Sequence, residues 1–235
     1  MQITFLGHCG FAVDTGPHIL LFDYCPRRLK PRAEALLPGL LAGRWPLVFV
    51  SHGHGDHYSP DIWDLPAARY YLGAGTPAEK DAVVLSGGET LEFPDFRLRT
   101  FPSTDEGVAF LVEIDGQTIY HTGDLNWWYW PGEPDPWNPD MERAFRRQAD
   151  EIAQIPIDLA FLTADPRQHE GWLWGLDYLM RRGKIRHAVP MHFWNQKSTP
   201  AKVAEADCTT PYREKLITSL CACGDRAELE SGGTL

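Results

Sequence analysis

The segment Leu47-Val48-Phe49-Val50-Ser51-His52-Gly53-His54-Gly55-Asp56-His57 runs from an unbroken apolar stretch into the densest cluster of ligating side chains in the chain. Four successive apolar residues between Pro46 and Ser51 have the pattern of a strand covered on both faces. The loop that leaves the end of such a strand is the usual place for chemistry. His52, His54, Asp56 and His57 fall within six residues, although the whole chain holds 9 histidines. In an extended loop His52 and His54 point to the same side and can share one ion, whereas Asp56 and His57 open a new turn and can reach a neighbouring one. Gly53 and Gly55 let the backbone bend between the ligands. A cluster this polar, directly after an apolar strand, reads as metal binding, and a purely structural zinc site would more often recruit cysteine.

Working outward, Gln2 to Leu6, Phe11 to Asp14 and His18 to Asp23 are short β-branched or aromatic runs broken by Gly and Pro, which predicts an antiparallel beginning. Further strands are expected at Arg69 to Leu72, Thr90 to Phe93, Phe96 to Phe101, Val108 to Ile114 and Gln117 to Thr122. The last two flank Asp115-Gly116, a dipeptide suited to the positive φ angles of a tight hairpin. Met141, Phe145, Ala149, Ile152 and Ile155 recur at helical spacing, so a helix is expected from Asp140, its cap, to Ile155. A strand at Ile157 to Thr163, a helix at Leu173 to Arg182 and a strand at Ile185 to Met191, ending at His192, follow. The tail from Pro200 to Cys221 is expected to be helical in part. Hairpins early and strand–helix alternation late predict an α/β sandwich with sheets inside and helices outside. With no low-complexity linker and no short-period repeat, residues 1–235 read as one domain.

Composition narrows the function classes. The 235 residues are 43% hydrophobic and 23% charged, enough for a full core and incompatible with disorder as the main state. Lys plus Arg number 22 against 32 Asp plus Glu, a formal charge of −10 that disfavours a nucleic-acid or anionic-membrane partner. No run approaches the roughly 20 apolar residues that span a bilayer, and Met1 leads straight into a strand-like segment, so a cytoplasmic protein is expected. Five scattered cysteines, Cys9, Cys25, Cys208, Cys221 and Cys223, suggest reduced thiols rather than a disulfide framework.

With the full pattern H-x-H-x-D-H present at His52 to His57, the sequence resembles the metallo-β-lactamase fold hydrolases. The likeness extends, in order, to Leu6-Gly7-His8, Leu21-Phe22-Asp23, Thr122-Gly123-Asp124 and Pro190-Met191-His192, and looks most like the branch containing ascorbate-phosphate lactonase and related metal-dependent hydrolases. The resemblance implies a four-layer αββα sandwich with two divalent metals per chain. His52 and His54 would bind the first, Asp56, His57 and His192 the second, and Asp124 would bridge them. Alone, Asp124 would pass for a turn carboxylate and His192 for a core histidine. Both sit where a strand ends, and the cluster needs distant partners to close its coordination.

The sequence departs from the family in the loop before the hairpin, where the first metal takes a third histidine. Residues Phe101 to Gly107 contain none; Asp105 is the best replacement, its alternative reading being a turn residue or a hydrogen-bond acceptor behind the ligands. An oxygen ligand there shifts preference from zinc, the first expectation, towards manganese or iron. His8 and Asp23 are expected behind the ligands, fixing their orientation. Asp56 and Asp124 would orient a metal-bound hydroxide as nucleophile. His121 has the opposite strand parity to Asp124 and is not a ligand.

After Asp124 comes a loop rich in Trp and Pro. Trp127 and Trp128 from it, with Trp194, are candidates for the wall of a substrate pocket, and Arg167 for an anionic substrate group, although an ordinary ion pair with Asp165 or Glu170 would also occupy it. The sequence thus reads as a metal-dependent hydrolase of a small ester, lactone or phosphodiester. A di-iron redox protein on the same fold and a non-enzymatic metal- or ligand-binding module are the alternatives. The expected partner is a small molecule, with no nucleic acid and no membrane; nothing in one chain fixes an oligomeric state.

Overall fold

The computed structural model describes residues 1–26, 30–66, 69–194 and 196–230. Its first half forms β1 (Gln2–Gly7), β2 (Gly10–Asp14), β3 (Ile19–Phe22), α1 (Lys30–Leu41), β4 (Leu47–Val50), β5 (Arg69–Gly73) and β6 (Val83–Leu85). Then come β7 (Thr90–Glu92), β8 (Phe96–Pro102), β9 (Val108–Ile114), β10 (Gln117–His121), α2 (Trp137–Ile152) and β11 (Pro156–Thr163). The chain ends with α3 (Trp174–Arg182), β12 (Lys184–Met191), α4 (Thr199–Glu205) and β13 (Arg226–Glu228).

These strands make two sheets, ordered β13-β1-β2-β3-β4-β5-β6 and β12-β11-β10-β9-β8-β7. Each begins with antiparallel hairpins and continues in parallel: β1, β2 and β3 alternate before β4 to β6 join in parallel, and β7 to β10 alternate before β11 and β12 join. Asp115 and Gly116 turn the β9–β10 hairpin with φ of 51° and 72°, as the dipeptide predicts.

The period-2 alternation of the strands assigns the layers. In β4, Leu47 and Phe49 face the second sheet, while Val48 and Val50 face outward with Leu21 and Leu72 onto Ala33, Leu40 and Leu41 of α1. Between the sheets Phe11 packs on Phe161, ring centroids 4.2 Å apart, and Phe49 on Phe110 at 5.4 Å. On the far face of the second sheet, Phe145, Ala149 and Ile152 of α2 and Leu176, Leu179 and Met180 of α3 cover Leu111, Ala160 and Leu162. Each fully buried Leu or Phe is worth about 1.5–3 kcal/mol, so a central layer apolar on both faces holds the sheets together. The result is the expected four-layer αββα arrangement.

Some boundaries and elements differ from the sequence reading. Helix α2 starts at Trp137 with Pro136 at the cap position and no side-chain cap bond, so Asp140 lies inside the first turn, where its charge suits the helix dipole, instead of capping it. Helix α1 was not anticipated, because Pro38 and Gly39 near its end conceal its pattern. The three-residue edge strands β6 and β13 were also not anticipated, being too short to carry a period. Among the described residues none of the five cysteines forms a disulfide. Among the described residues no helix is long and apolar enough to cross a membrane.

Candidate metal centre

Strand direction gathers the candidate residues at one end of the sandwich. β1 and β3 both run antiparallel to β2, and β4 is parallel to β3, so His8, Asp23 and His52 leave the first sheet at the same edge. β8 and β10 both oppose β9, and β11 and β12 follow β10, so Asp105, Asp124, Asp165 and His192 leave the second sheet together. Two backbone bonds join the sheets here: Val108 N–H donates to Ser51 O at 3.0 Å and His192 N–H to His8 O at 3.4 Å. His8, Asp23 and His192 have φ of 50°, 41° and 64°, a left-handed conformation that non-glycine residues rarely adopt and that gathers at functional sites. At Gly107, φ is 70° and a Cβ would lie 2.0 Å from Ser51 O, so only glycine permits this close approach.

His52, His57 and His192, all buried, each have Nδ1 engaged and Nε2 turned towards the centre. His57 Nδ1 donates to Asp23 Oδ2 at 2.7 Å, and His192 Nδ1 to Asp165 Oδ2 at 3.0 Å. Ser51 Oγ donates to Asp23 Oδ2 at 2.8 Å, which leaves it to accept from His52 Nδ1 at 3.0 Å. Each bond puts the proton on Nδ1 and leaves the Nε2 lone pair for a ligand. His52 Nε2 lies 2.9 Å from Nδ1 of the more exposed His54.

Asp124 stands among these nitrogens. Its Oδ1 lies 3.2 Å from His57 Nε2 and 3.3 Å from His192 Nε2, and its Oδ2 lies 3.6 Å from His52 Nε2. Yet His57 Nε2, His192 Nε2 and Asp124 Oδ1 are buried without a hydrogen-bond partner among the described residues. Three convergent, unsatisfied buried atoms would each cost about 1–3 kcal/mol, a cost that a divalent cation between them removes. The donor set therefore fits a metal.

The ligating atoms fall into overlapping groups, each within 4.8 Å: His52 with His57 and Asp124, and His54 with Asp105 and Asp124. His8, Cys9, His57 and His192 form a further group. Asp56 lines the same cavity, with Oδ2 3.4 Å from His8 Nε2. Of the two residues expected behind ligands, Asp23 holds His57 directly. His8 lies beside Asp56, its ring centroid 4.2 Å from that of His192, and neither of its nitrogens has a hydrogen-bond partner among the described residues. His121 is outside the cluster: it accepts from Gly123 N–H and donates to Cys9 O.

The electrostatics match a site built for cations. Burial disfavours charge on His57, but Asp124 and Asp23 outweigh it and hold the imidazole well above its ordinary range. His192 is raised in the same way, chiefly by Asp124. His52 is instead lowered to about 4 by burial and by the neighbouring His57 charge. Partial desolvation and the Asp124 charge push the Asp105 carboxyl up.

A cavity of about 270 Å³ opens over the centre, walled by Trp128, Trp130, Trp137, Met141, Arg167 and Trp194. Trp128 is anchored by its Nε1–H to Asp124 O at 2.9 Å, and its ring lies 5.4 Å from His192. Trp127 does not line the cavity: its indole packs on Phe145 and Trp174 under the Arg146 guanidinium, so the reading of it as a wall residue is corrected. Loop parity explains this, since neighbouring residues face opposite ways. Asn126 Nδ2 donates to Gln168 Oε1, and Gln168 Nε2 to Trp127 O, fixing the loop from within. Arg167 pairs with Asp165, one of the two expected ion-pair partners, while still facing the cavity. Asp165 itself was missed as the residue holding His192; its place just past a strand end was the available signal.

Comparison with known proteins agrees with this geometry. Residues 2–127 match the family described as the beta-lactamase superfamily domain. A metal-dependent hydrolase of Pelotomaculum thermopropionicum is 28% identical, over 82% of this chain and 84% of the relative. One from Nitratidesulfovibrio vulgaris (strain Hildenborough) is 30% identical, over 94% and 90%. Among solved structures, a metallo hydrolase from the hyperthermophilic archaeon Ignicoccus hospitalis superposes with a TM-score of 0.65 at 14% identity, covering 97% of this chain and 99% of the other.

Proposed function

The chain belongs to the β-lactamase superfamily and is a metal-dependent hydrolase, and from that premise we propose that it uses two divalent ions to cleave a small ester, lactone or phosphodiester. The observation that carries the reading is the convergence of the unpartnered His57 Nε2, His192 Nε2 and Asp124 Oδ1. His52, His54 and Asp105 would hold the first ion and Asp56, His57 and His192 the second, with Asp124 available to either. Bound there, the ions would supply Lewis-acid polarisation of the scissile group and bring the pKa of a coordinated water towards neutrality.

The protein's own groups supply the rest. Asp23, Ser51 and Asp165 fix the tautomers of His57, His52 and His192, so no reorganisation is needed when the substrate arrives. Burial opposes ionisation of Asp56, but the His8 imidazole 3.4 Å away and the nearby His57 charge keep its carboxyl low, so it is available to accept a hydrogen bond from the attacking water and orient it. Trp128 and Trp130 keep bulk water from the reacting bond. Each position pairs two imidazoles, which suit zinc, with carboxylates from Asp56, Asp105 and Asp124, which also suit manganese or iron. A cavity of about 270 Å³ suits a small molecule.

The test is elemental analysis of protein purified without chelator, alongside hydrolysis of a p-nitrophenyl ester, a γ-lactone and bis-p-nitrophenyl phosphate. Two metal equivalents, with turnover abolished in Asp56→Ala and Asp124→Ala, are expected. No metal after reloading, or equal rates in parent and variants, would sink the reading.

A further inference from the structure

Among the described residues Arg167 is the one Lys or Arg side chain lining the cavity, and its surroundings leave one part of it open. Asp165 occupies one edge of the guanidinium: Nε donates to its Oδ1 and Oδ2 at 3.0 and 2.9 Å, and Nη2 to Oδ2 at 2.5 Å. The Arg167 backbone N–H also donates to Asp165 Oδ1, at 2.9 Å, closing the turn. The guanidinium carbon sits 4.4 Å from the ring centroid of Trp194 and 5.6 Å from that of Trp130, so indoles take up its faces. The tip formed by Nη1 and the second Nη2 hydrogen has no acceptor among the described residues, and side-chain exposure of 46% leaves it open to the cavity.

A guanidinium with one edge filled and its faces stacked presents a rigid two-donor fork in its own plane, which matches a planar oxyanion. The rest of the lining sets the size and charge of that anion. Among the described lining residues no other Lys or Arg accompanies Arg167, and Trp128 and Trp130, parallel within 7° at 6.0 Å, offer an apolar face. We propose that Arg167 binds a carboxylate on the substrate, and that the enzyme acts on a small ester or lactone with an apolar body and a carboxylate beyond the scissile bond. The inference rests on the hydrolase reading of the same site. Asp165 is a positioning residue in it, since its Oδ2 accepts from both Arg167 and His192 and so fixes the anion fork relative to the metal position.

The test measures binding without turnover. Phenylacetate and its neutral isostere phenylacetamide are titrated calorimetrically into metal-loaded parent, Arg167→Gln and Arg167→Lys proteins. The parent is expected to prefer the acid at least tenfold, Arg167→Gln to lose that preference with amide affinity unchanged, and Arg167→Lys, which keeps the charge without the fork, to fall between. Equal affinity for acid and amide in the parent overturns the proposal. So does acid affinity insensitive to both variants, which would put the carboxylate on the metal ions. Acid preference that depends on Arg167 in a protein with no turnover on any ester supports the subsite and overturns only the catalytic reading.

Discussion

Asp165 Oδ2 accepts the Nδ1 proton of His192 at 3.0 Å, tying a loop that follows β11 to the histidine that follows β12. Asp23 does the same for His57 at 2.7 Å on the other sheet. Each sheet thus contributes a buried carboxylate that points an imidazole Nε2 at Asp124. The two pairs differ in their other duties: Asp23 also binds Ser51 N–H and Oγ, while Asp165 also holds Arg167.

Asp165→Asn is therefore expected to weaken divalent-metal affinity about 10–100-fold, the usual effect of losing a carboxylate behind a ligating histidine. The fold should survive, because the amide oxygen still accepts from His192. Competition with a chromophoric chelator measures the affinity, and an unchanged constant would show that Asp165 serves Arg167 alone.

Asp23→Ala is a stability experiment. The substitution strips acceptors from Ser51 N–H, Ser51 Oγ and His57 Nδ1 in a site where Asp23 is 1% exposed. Removing one partner of a buried charged pair costs about 3–5 kcal/mol, so the urea midpoint of metal-free Asp23→Ala should fall sharply. A loss no larger than that of a surface substitution would mean that Ser51 and His57 find other acceptors.

The sequence exposed much of this because its chemistry is written locally. His52 to His57 sit on one turn after one apolar strand, and Asp124 and His192 stand at strand ends that a sandwich must bring together. Asp165 was harder to see, since a carboxylate two residues past a strand, next to Pro166 and Arg167, looks like a turn with an ion pair, and it is one. Its bond to His192 depends on β11 and β12 being parallel neighbours, which no local pattern encodes. Trp127 and Trp128 were indistinguishable in sequence, and only the hydrogen bonds of the loop decide which indole faces the cavity.

Metal-free protein should show a distinctive pH dependence. Asp23 and Asp124 titrate below their ordinary range in the folded chain, so their stabilisation is present above about pH 4 and is lost as pH falls through the depressed values. His57 and His192 titrate above theirs, so their stabilisation is full below about pH 6.5 and is lost as pH rises through the raised values. Below about pH 6.5 the buried His8 and His52, held down to about 4, resist protonation, so thermal midpoints of chelated protein should rise from about pH 4 to about 6.5 and decline on the alkaline side. Metal loading, which needs neutral imidazoles and releases their protons, should abolish the alkaline decline. Midpoints that keep rising above pH 7 without metal would contradict the charged Asp–His network.

Asp105 offers the sharpest test of metal choice. It sits in a loop whose shape is set independently of any ion: Ser103 N–H donates to Gly107 O at 3.3 Å, Asp105 N–H to Ser103 Oγ at 3.1 Å, and Gly107 abuts Ser51 O. The loop thus delivers whatever side chain stands at 105 to His54 and Asp124, the groups it meets within 4.8 Å. Asp105→Ala removes the third ligand and should reduce bound metal from two equivalents towards one, with the fold unchanged because the residue is exposed. Asp105→His replaces a hard oxygen with an imidazole and should raise zinc affinity relative to manganese, an exchange that ligand softness dictates. Elemental analysis after dialysis against equimolar zinc and manganese reads both effects. Stoichiometry and selectivity identical in parent, Asp105→Ala and Asp105→His would remove Asp105 from the coordination sphere and leave His52, His54 and Asp124 to hold the first ion alone.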